Sequence, residues 1–481
     1  MFPLQRAVKP AVASLRISPR PLAMVGILAA SDASALALAG IISVYLRLAF
    51  GGAYVASLYW QLWPILGLFL LAYAVAGLYP AVFVSPVDEL RRICLSTTFT
   101  YMVLGAGLFL IREGETYSRG VFLMAWLLSL LAVLLGRLLI RHICGHYAWW
   151  GYPVLILGAG RTGELVIQTL QHQPGFGLKP LAVLDDNPNK RGELSGIPVL
   201  GPLSLAPKLA RKRDIHHAIV AMPGVPREQL LTILERHGRT FPHLVMIPDL
   251  FGVASLWVGA KDLGGILGLE IRQRLLLPGP RMTKALLDVV LTLVIGTGLL
   301  PVILIIALWV RLDSPGPVFY GQNRLGQDGA PFTAWKFRSM VKNADQVLAD
   351  YLEANPDLRQ QWERDQKLRY DPRITRIGHF LRRTSLDELP QLWNVLRGEM
   401  SLVGPRPIVD EEIIRYAEKY RLYTKVLPGM TGLWQVSGRN NVSYDERVNL
   451  DAYYVRNWSV WLDIYILLRT IWVVLIGDGA Y

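Results

Sequence analysis

Apolar positions along the chain fall into three regimes. Up to about residue 150 they come as unbroken runs, Pro21 to Tyr45, Trp60 to Leu78, Cys94 to Ile111 and Val121 to Ile140, each near the roughly 20 residues that a spanning helix needs. From Tyr152 to about Asp249, short apolar strands alternate with helical stretches, as in a soluble α/β domain. An uncharged run from Val289 to Val310 then leads into mixed sequence of soluble character. The pattern predicts a tail (1–20), a four-helix transmembrane bundle (21–150), a Rossmann-like α/β domain (151–250), a linker (251–280) and a C-terminal α+β domain (281–481). The last begins with a membrane helix over about 284–311.

Charge orients these segments. Arg6 to Arg20, Arg91 with Arg92, and Arg137 with Arg141 make the tail and everything after residue 141 cytoplasmic by the positive-inside rule, in a multi-pass membrane protein. Arg281, Lys284 and Arg311 flank both ends of the later run, and Gly296, Gly298 and Pro301 break its middle. A helix that dips in and returns on the same face is expected, with a kinked span as the alternative. Asp32 lies within the first span, where pairing inside the bundle is expected over a transport role. The chain is 52% hydrophobic and 18% charged with net charge +13, and the apolar runs favour lipid over nucleic acid as its anionic partner. Its two cysteines, Cys94 and Cys144, support neither a disulfide framework nor a zinc site.

In the α/β region, the strand Val154–Leu157 runs into Gly158-Ala-Gly160-Arg-Thr-Gly163 and then a helix. A second strand, Leu181–Leu184, ends at Asp185. Gly158, Gly160, Gly163 and Asp185 are therefore candidates to bind an unidentified nucleotide. The same glycines also serve a tight turn and close packing, which leaves a regulatory or structural role open. No Tyr-x-x-x-Lys pair follows the third strand, Ala218–Ala221, as a sugar-modifying oxidoreductase would need.

The densest chemistry lies between Thr384 and Pro407. Pro390 is tolerated only near a helix start, so Asp387 and Glu388 are expected at a helix N-terminus, with Leu389, Leu392, Trp393 and Leu396 as its apolar face. Acids there can hold the cation that a phosphate brings. Ser385-x-x-Glu388 also fits a capping box, which would make the acids structural. Trp458 to Ile476 reads as an apolar helix that lies in the membrane interface or packs on the domain.

From Lys284 onward, the chain resembles the bacterial polyprenyl-phosphate sugar-1-phosphate transferases with a re-entrant membrane helix. The matching motifs are Lys284 with Asp288, Ser314-Pro-Gly-Pro317, Gln322-x-Arg324-x-Gly326, Lys336-Phe-Arg-Ser-Met340, Ser385-Leu-Asp-Glu-Leu-Pro-Gln391, Leu402-Val-Gly-Pro-Arg-Pro407 and Pro428-Gly-Met-Thr-Gly432. The whole chain, to its Asp-Gly-Ala-Tyr481 ending, resembles the large undecaprenyl-phosphate galactose phosphotransferases. Leu300-Pro301 departs from the Ser-Pro of smaller relatives. The resemblance implies transfer of a hexose-1-phosphate from a UDP-sugar to undecaprenyl phosphate, with release of UMP, at the cytoplasmic face of a bacterial inner membrane. Asp387 is the expected nucleophile and Glu388 the expected Mg²⁺ ligand. Lys336, Arg338, Arg382, Arg406 and Arg439 are the expected phosphate-binding cations. The spans and the α/β domain also offer surfaces for a homodimer. From another class, a nucleotide-sensing membrane scaffold would leave the acids structural.

Overall fold

The computed structural model describes residues 20–51, 59–80, 82, 84–110, 117–147, 149–226, 232–233, 240–247, 258–262, 267–271, 274–355, 358–359, 371–438 and 443–476. The chain divides into two compact units, residues 1–251 and 252–481.

In the first unit, helices α1 (Pro21–Ala49), α3 (Pro86–Leu110) and α4 (Arg119–Cys144) are long and apolar enough to cross a membrane. The second expected span is not. Helix α2 covers only the 11 residues Ile65–Val75, which at roughly 1.5 Å per residue cannot cross a hydrocarbon core of about 30 Å. Pro64 caps its start and Gly77, at φ 70°, follows its end, so the apolar run carries its own stop signals. Asp32 is paired within the bundle. Arg137 of α4 approaches it to 2.6 Å and reaches Glu89 of α3 at 2.9 Å, while the Tyr79 hydroxyl donates to Asp32. Removing one member of such a buried pair costs about 3–5 kcal/mol.

A six-stranded sheet follows, in the order β3-β4-β2-β1-β5-β6. Its strands are Tyr152–Leu157 (β1), Leu178–Leu184 (β2), Gly192–Leu194 (β3), Ile197–Gly201 (β4), His217–Val220 (β5) and His243–Met246 (β6). Neighbouring strands are parallel except at the β3–β4 edge. This is the Rossmann-like arrangement, with helix α5 (Arg161–His172) leaving the glycine turn after β1 and helix α6 (Ala206–Arg213) preceding β5.

The structure gives separate reasons for the glycines of that turn. Gly158 sits at φ 114°, and a Cβ on Gly163 would stand 2.2 Å from the carbonyl oxygen of Gly158. Gly160 has open space: a Cβ there would meet only the Lys190 ammonium, at 4.0 Å. Asp185 folds back over the turn. It accepts from the Ala159 and Asn187 N–H groups at 2.8 Å and from Lys190 at 3.2 Å. Burial opposes its ionisation, but these donors outweigh burial and hold its carboxyl below the usual carboxylate range.

The second unit opens on a β-hairpin, Val258–Asp262 (β7) with Leu267–Ile271 (β8), within the stretch expected to be a plain linker. Its alternating residues pair Val258 with Ile271 and Ala260 with Leu269, which gives the segment a register of its own. Helix α7 (Pro278–Asp313) is a fourth helix long and apolar enough to cross a membrane, with Pro301 inside it. Its prolines 278 and 280 lie in its first turn, where a missing N–H is harmless. Then come the hairpin Phe319–Leu325 (β9) and Pro331–Phe337 (β10), helices α8 (Ala344–Ala354), α9 (Arg376–Thr384) and α10 (Gln391–Leu396), and the parallel pair Ser401–Val403 (β11) and Gly429–Thr431 (β12). Helices α11 (Tyr444–Asn457) and α12 (Val460–Ile476) close the unit.

Both ends of α7 are tied to this unit. Near its start, Lys284 bonds Asp463 of α12 at 2.8 Å, while Asp288 accepts from the Ser401 hydroxyl at 2.7 Å and the Leu402 N–H at 3.2 Å. At its end, Ile306 and Val310 pack with Phe337 and Leu381, and Asp313 accepts from the Ile377 N–H. Between them, Leu293, Val294, Leu300 and Leu304 are exposed. Helix α12 packs through Leu462, Asp463 and Ile466 and presents Leu468, Ile471 and Trp472 outward.

The glycine turn yields a direct test. Gly163→Ala should destabilise the protein by about 1–3 kcal/mol by overpacking, whereas Gly160→Ala should stay within about 0.5 kcal/mol of wild type. Thermal melts of the two variants check this, and equal losses would contradict it.

Candidate active site

The acid pair is set by two chain reversals. Helix α9 starts at a Thr375 cap, whose hydroxyl accepts from the Gly378 N–H, and ends at Ser385 in the left-handed region at φ 56°. The chain then makes a 3₁₀ turn, Leu386–Glu388, and Pro390 is the cap residue of α10. Ser385 makes no side-chain cap, so the capping box does not form. The acids also lie one turn before α10 rather than in its first turn, a correction to the helix-terminus expectation. Ser385 ends one helix and Pro390 cannot donate within the next, so the residues between close as a tight turn. With only six residues in α10, the helix dipole is a minor influence on the acids. Neighbours in a 3₁₀ turn point roughly 120° apart, and the two acids have different surroundings. The apolar face is also split: Leu392 is buried while Trp393 is exposed.

Glu388 pairs with Lys336 of β10 at 2.5 Å. Asp387 is 9% exposed. Burial, assisted by Glu388, pushes its carboxyl up to about 6, with Lys336 and Arg382 acting against the rise. Arg382 of α9 donates to the Ser339 hydroxyl at 2.9 Å and adds positive charge beside Asp387.

Arg406 is placed by backbone contact between two motifs. A Cβ on Gly404 would lie 2.7 Å from the Gly429 nitrogen, and one on Gly432 would lie 2.4 Å from the Gly404 oxygen. Only glycine permits this approach, which the Gly404 N–H to Thr431 and Gly429 N–H to Pro405 hydrogen bonds complete. The Arg406 guanidinium carbon then lies 5.5 Å from the Trp434 ring centre. Its field reaches Glu388, as does that of Arg324, and both cations act on Arg447.

One expected cation, Arg338, is occupied elsewhere. Arg338 donates to the Ser314 carbonyl and hydroxyl and to the Pro315 carbonyl, which holds the Ser-Pro-Gly-Pro turn against the end of α7. Arg439 lies outside the described residues. Sequence reasoning missed Arg447 and Trp434 as site residues and quoted Arg324 only within a motif. Arg447 sits in an ordinary charged helix turn with no local signature.

Beside the acid turn, an apolar groove of about 550 Å³ runs between α7 and α10, lined by Leu293, Gly296, Leu300, Leu389, Trp393 and Leu396 among others. Among the described residues, no three His, Cys, Asp or Glu side chains stand together. One or two carboxylates suffice for Mg²⁺ when phosphate oxygens complete the shell, so Glu388 beside Asp387 fits that ion.

The bacterial sugar transferase family model matches residues 279–477, and a CoA-binding domain model matches residues 74–248. The UDP-galactose-lipid carrier transferase of Erwinia amylovora is 41% identical over 76% of each chain. The undecaprenyl-phosphate galactose phosphotransferase of Salmonella typhimurium is 38% identical over 76% of this chain and 77% of its own. This chain belongs to the bacterial sugar transferase family. It is thus an enzyme, a sugar phosphotransferase. A relative at 32% identity, covering 79% of this chain and 80% of its own, is the UDP-glucose:undecaprenyl-phosphate glucose-1-phosphate transferase of Escherichia coli.

If Asp387 reacts as its carboxylate, kcat/KM should show an acid limb near pH 6, because the carboxyl is neutral below its pKa. Lys336→Met removes a charge that lowers this pKa and should move the limb upward. A pH–rate profile checks it, and a limb unmoved in the variant contradicts the assignment.

Proposed function

We propose that this transferase moves a hexose-1-phosphate, galactose-1-phosphate first among candidates, from a UDP-sugar to undecaprenyl phosphate with release of UMP. It would act as the first membrane step of O-antigen, capsule or exopolysaccharide synthesis. The observation that carries this reading is a buried carboxylate, Asp387, held among cations beside an apolar groove on a membrane helix. The names of the relatives agree with it in chemistry and divide between galactose and glucose.

The Asp387 carboxylate attacks the sugar-bearing β-phosphorus. The bond to the bridging oxygen breaks, and its electron pair leaves with UMP, giving an acyl phosphate on Asp387. A phosphate oxygen of the lipid then attacks the same phosphorus and restores the carboxylate. No proton moves in either step, which suits a site rich in cations and without a histidine base among its named residues. Glu388 would hold Mg²⁺, which when bound supplies neutralising charge to the pyrophosphate. Lys336 and Arg382 hold charge beside the attacked phosphorus.

Re-entrance of α7 belongs to the same reading. Its support is the packing of residues 284–292 and 303–313 against one unit, with exposed apolar residues between. The catalytic unit would then sit on the cytoplasmic face, where nucleotide sugars are made.

Incubation with a panel of UDP-sugars and undecaprenyl phosphate should release UMP, with UDP-galactose the fastest donor. Asp387→Asn should abolish turnover and capture of a sugar-phosphate adduct on the protein; a fully active Asn variant sinks the mechanism. In a background without Cys94 and Cys144, Thr283→Cys and Leu312→Cys should both resist an impermeant thiol reagent applied to intact cells. Labelling of only one would mean a true span.

A further inference from the structure

The cations around the acid turn form two groups. Lys336 and Arg382 act on Asp387, as described. The second group comes from separate elements: Arg324 on β9, Arg406 after β11, and Arg447 on α11, with Trp434 among them. The Arg447 guanidinium carbon lies 4.4 Å from the Trp434 ring centre and 5.2 Å from that of Tyr444. Its Nη2 stands 3.9 Å from the nearest Glu412 oxygen, beyond hydrogen-bond reach. Both Nε and Nη2 are buried without a hydrogen-bond partner. Arg324 donates to the Gln322 side chain at 2.9 Å.

Such a gathering is costly on its own. The guanidiniums repel one another, and buried N–H groups left unsatisfied keep their full desolvation penalty. The carboxylates in reach are Glu388, already paired with Lys336, Glu412 at its long distance, and Asp451 behind them. Asp451 is a weak counter-charge. Burial pushes its carboxyl up to about 7, and the Tyr416 hydroxyl already donates to it. The group is short of negative charge and of acceptor oxygens, and a phosphate supplies both.

Which phosphate it takes follows from the groove. A lipid phosphate arrives along the apolar trough between α7 and α10, whose lining includes Trp335, next to Lys336, and Leu389, next to Glu388. None of Arg324, Arg406, Trp434 and Arg447 lines that trough. Trp335, which lines it, pairs with Gly321, three positions along β9 from Arg324 and roughly 10 Å away. We propose that Arg324, Arg406 and Arg447, set around Trp434, bind the nucleoside-bearing phosphate of the donor, the one that departs in UMP, while the lipid phosphate enters on the Lys336 side. This rests on the phosphosugar transfer proposed above.

The test is calorimetric titration of UMP into the full-length protein, paired with steady-state kinetics. Arg447→Met should weaken UMP binding roughly tenfold or more, with Arg447→Lys intermediate. The KM for the UDP-sugar should rise with it while the KM for undecaprenyl phosphate stays within about twofold. Arg324→Gln carries the same expectation should the Arg447 variants fail to fold. Unchanged UMP affinity, or a rise confined to the lipid KM, would overturn the subsite while leaving the transfer reaction standing. A wild-type protein that neither binds nor releases UMP would remove both.

Discussion

The catalytic unit depends on polar anchoring at both ends of a helix whose middle is apolar. Lys284, Asp288, Asp463 and Ser401 form a buried network at one end, and Asp313 with the Arg338-braced turn holds the other. A buried charge without a partner costs several kcal/mol, so these contacts fix where each end of α7 lies on the domain. The apolar residues between the anchors are left facing outward, and the groove against α10 follows from that placement. The acid turn immediately precedes α10, so Asp387 borders the apolar surface through the same anchoring.

Around Asp387 the competing influences are burial, which favours the neutral acid, and nearby cations, which favour the anion. Burial wins narrowly and leaves the carboxyl near 6. Such a group is ionised at neutral pH yet poorly solvated, a state suited to nucleophilic attack. Opposite it, the close backbone approach of Gly404, Gly429 and Gly432 brings Arg406 to Trp434. These glycines therefore set the position of Arg406 through backbone geometry.

Much of this was legible in the sequence because the relevant signals are local. Long apolar runs, the β1 glycine turn and the motif series announced the helices, the α/β domain and the acid pair. The failures were also physical. Hydropathy counted Trp60 to Leu78 as a span because it ignores Pro64 and Gly77. Proline placement put the acids in a helix, whereas left-handed Ser385 made a 3₁₀ turn instead. Arg338 looked like a phosphate ligand in a basic motif, but its donors serve carbonyls of the turn at the end of α7.

By itself, the sequence determined which segments are apolar enough for a membrane, which glycines interrupt the chain, and which short run holds adjacent acids. Those properties depend on residue type and near neighbours. Only the tertiary structure decided which cations face Glu388 and which are occupied elsewhere. Arg324, Arg406 and Arg447 come from distant parts of the chain, and their shared field exists only once β9, the two glycine motifs and α11 have packed together.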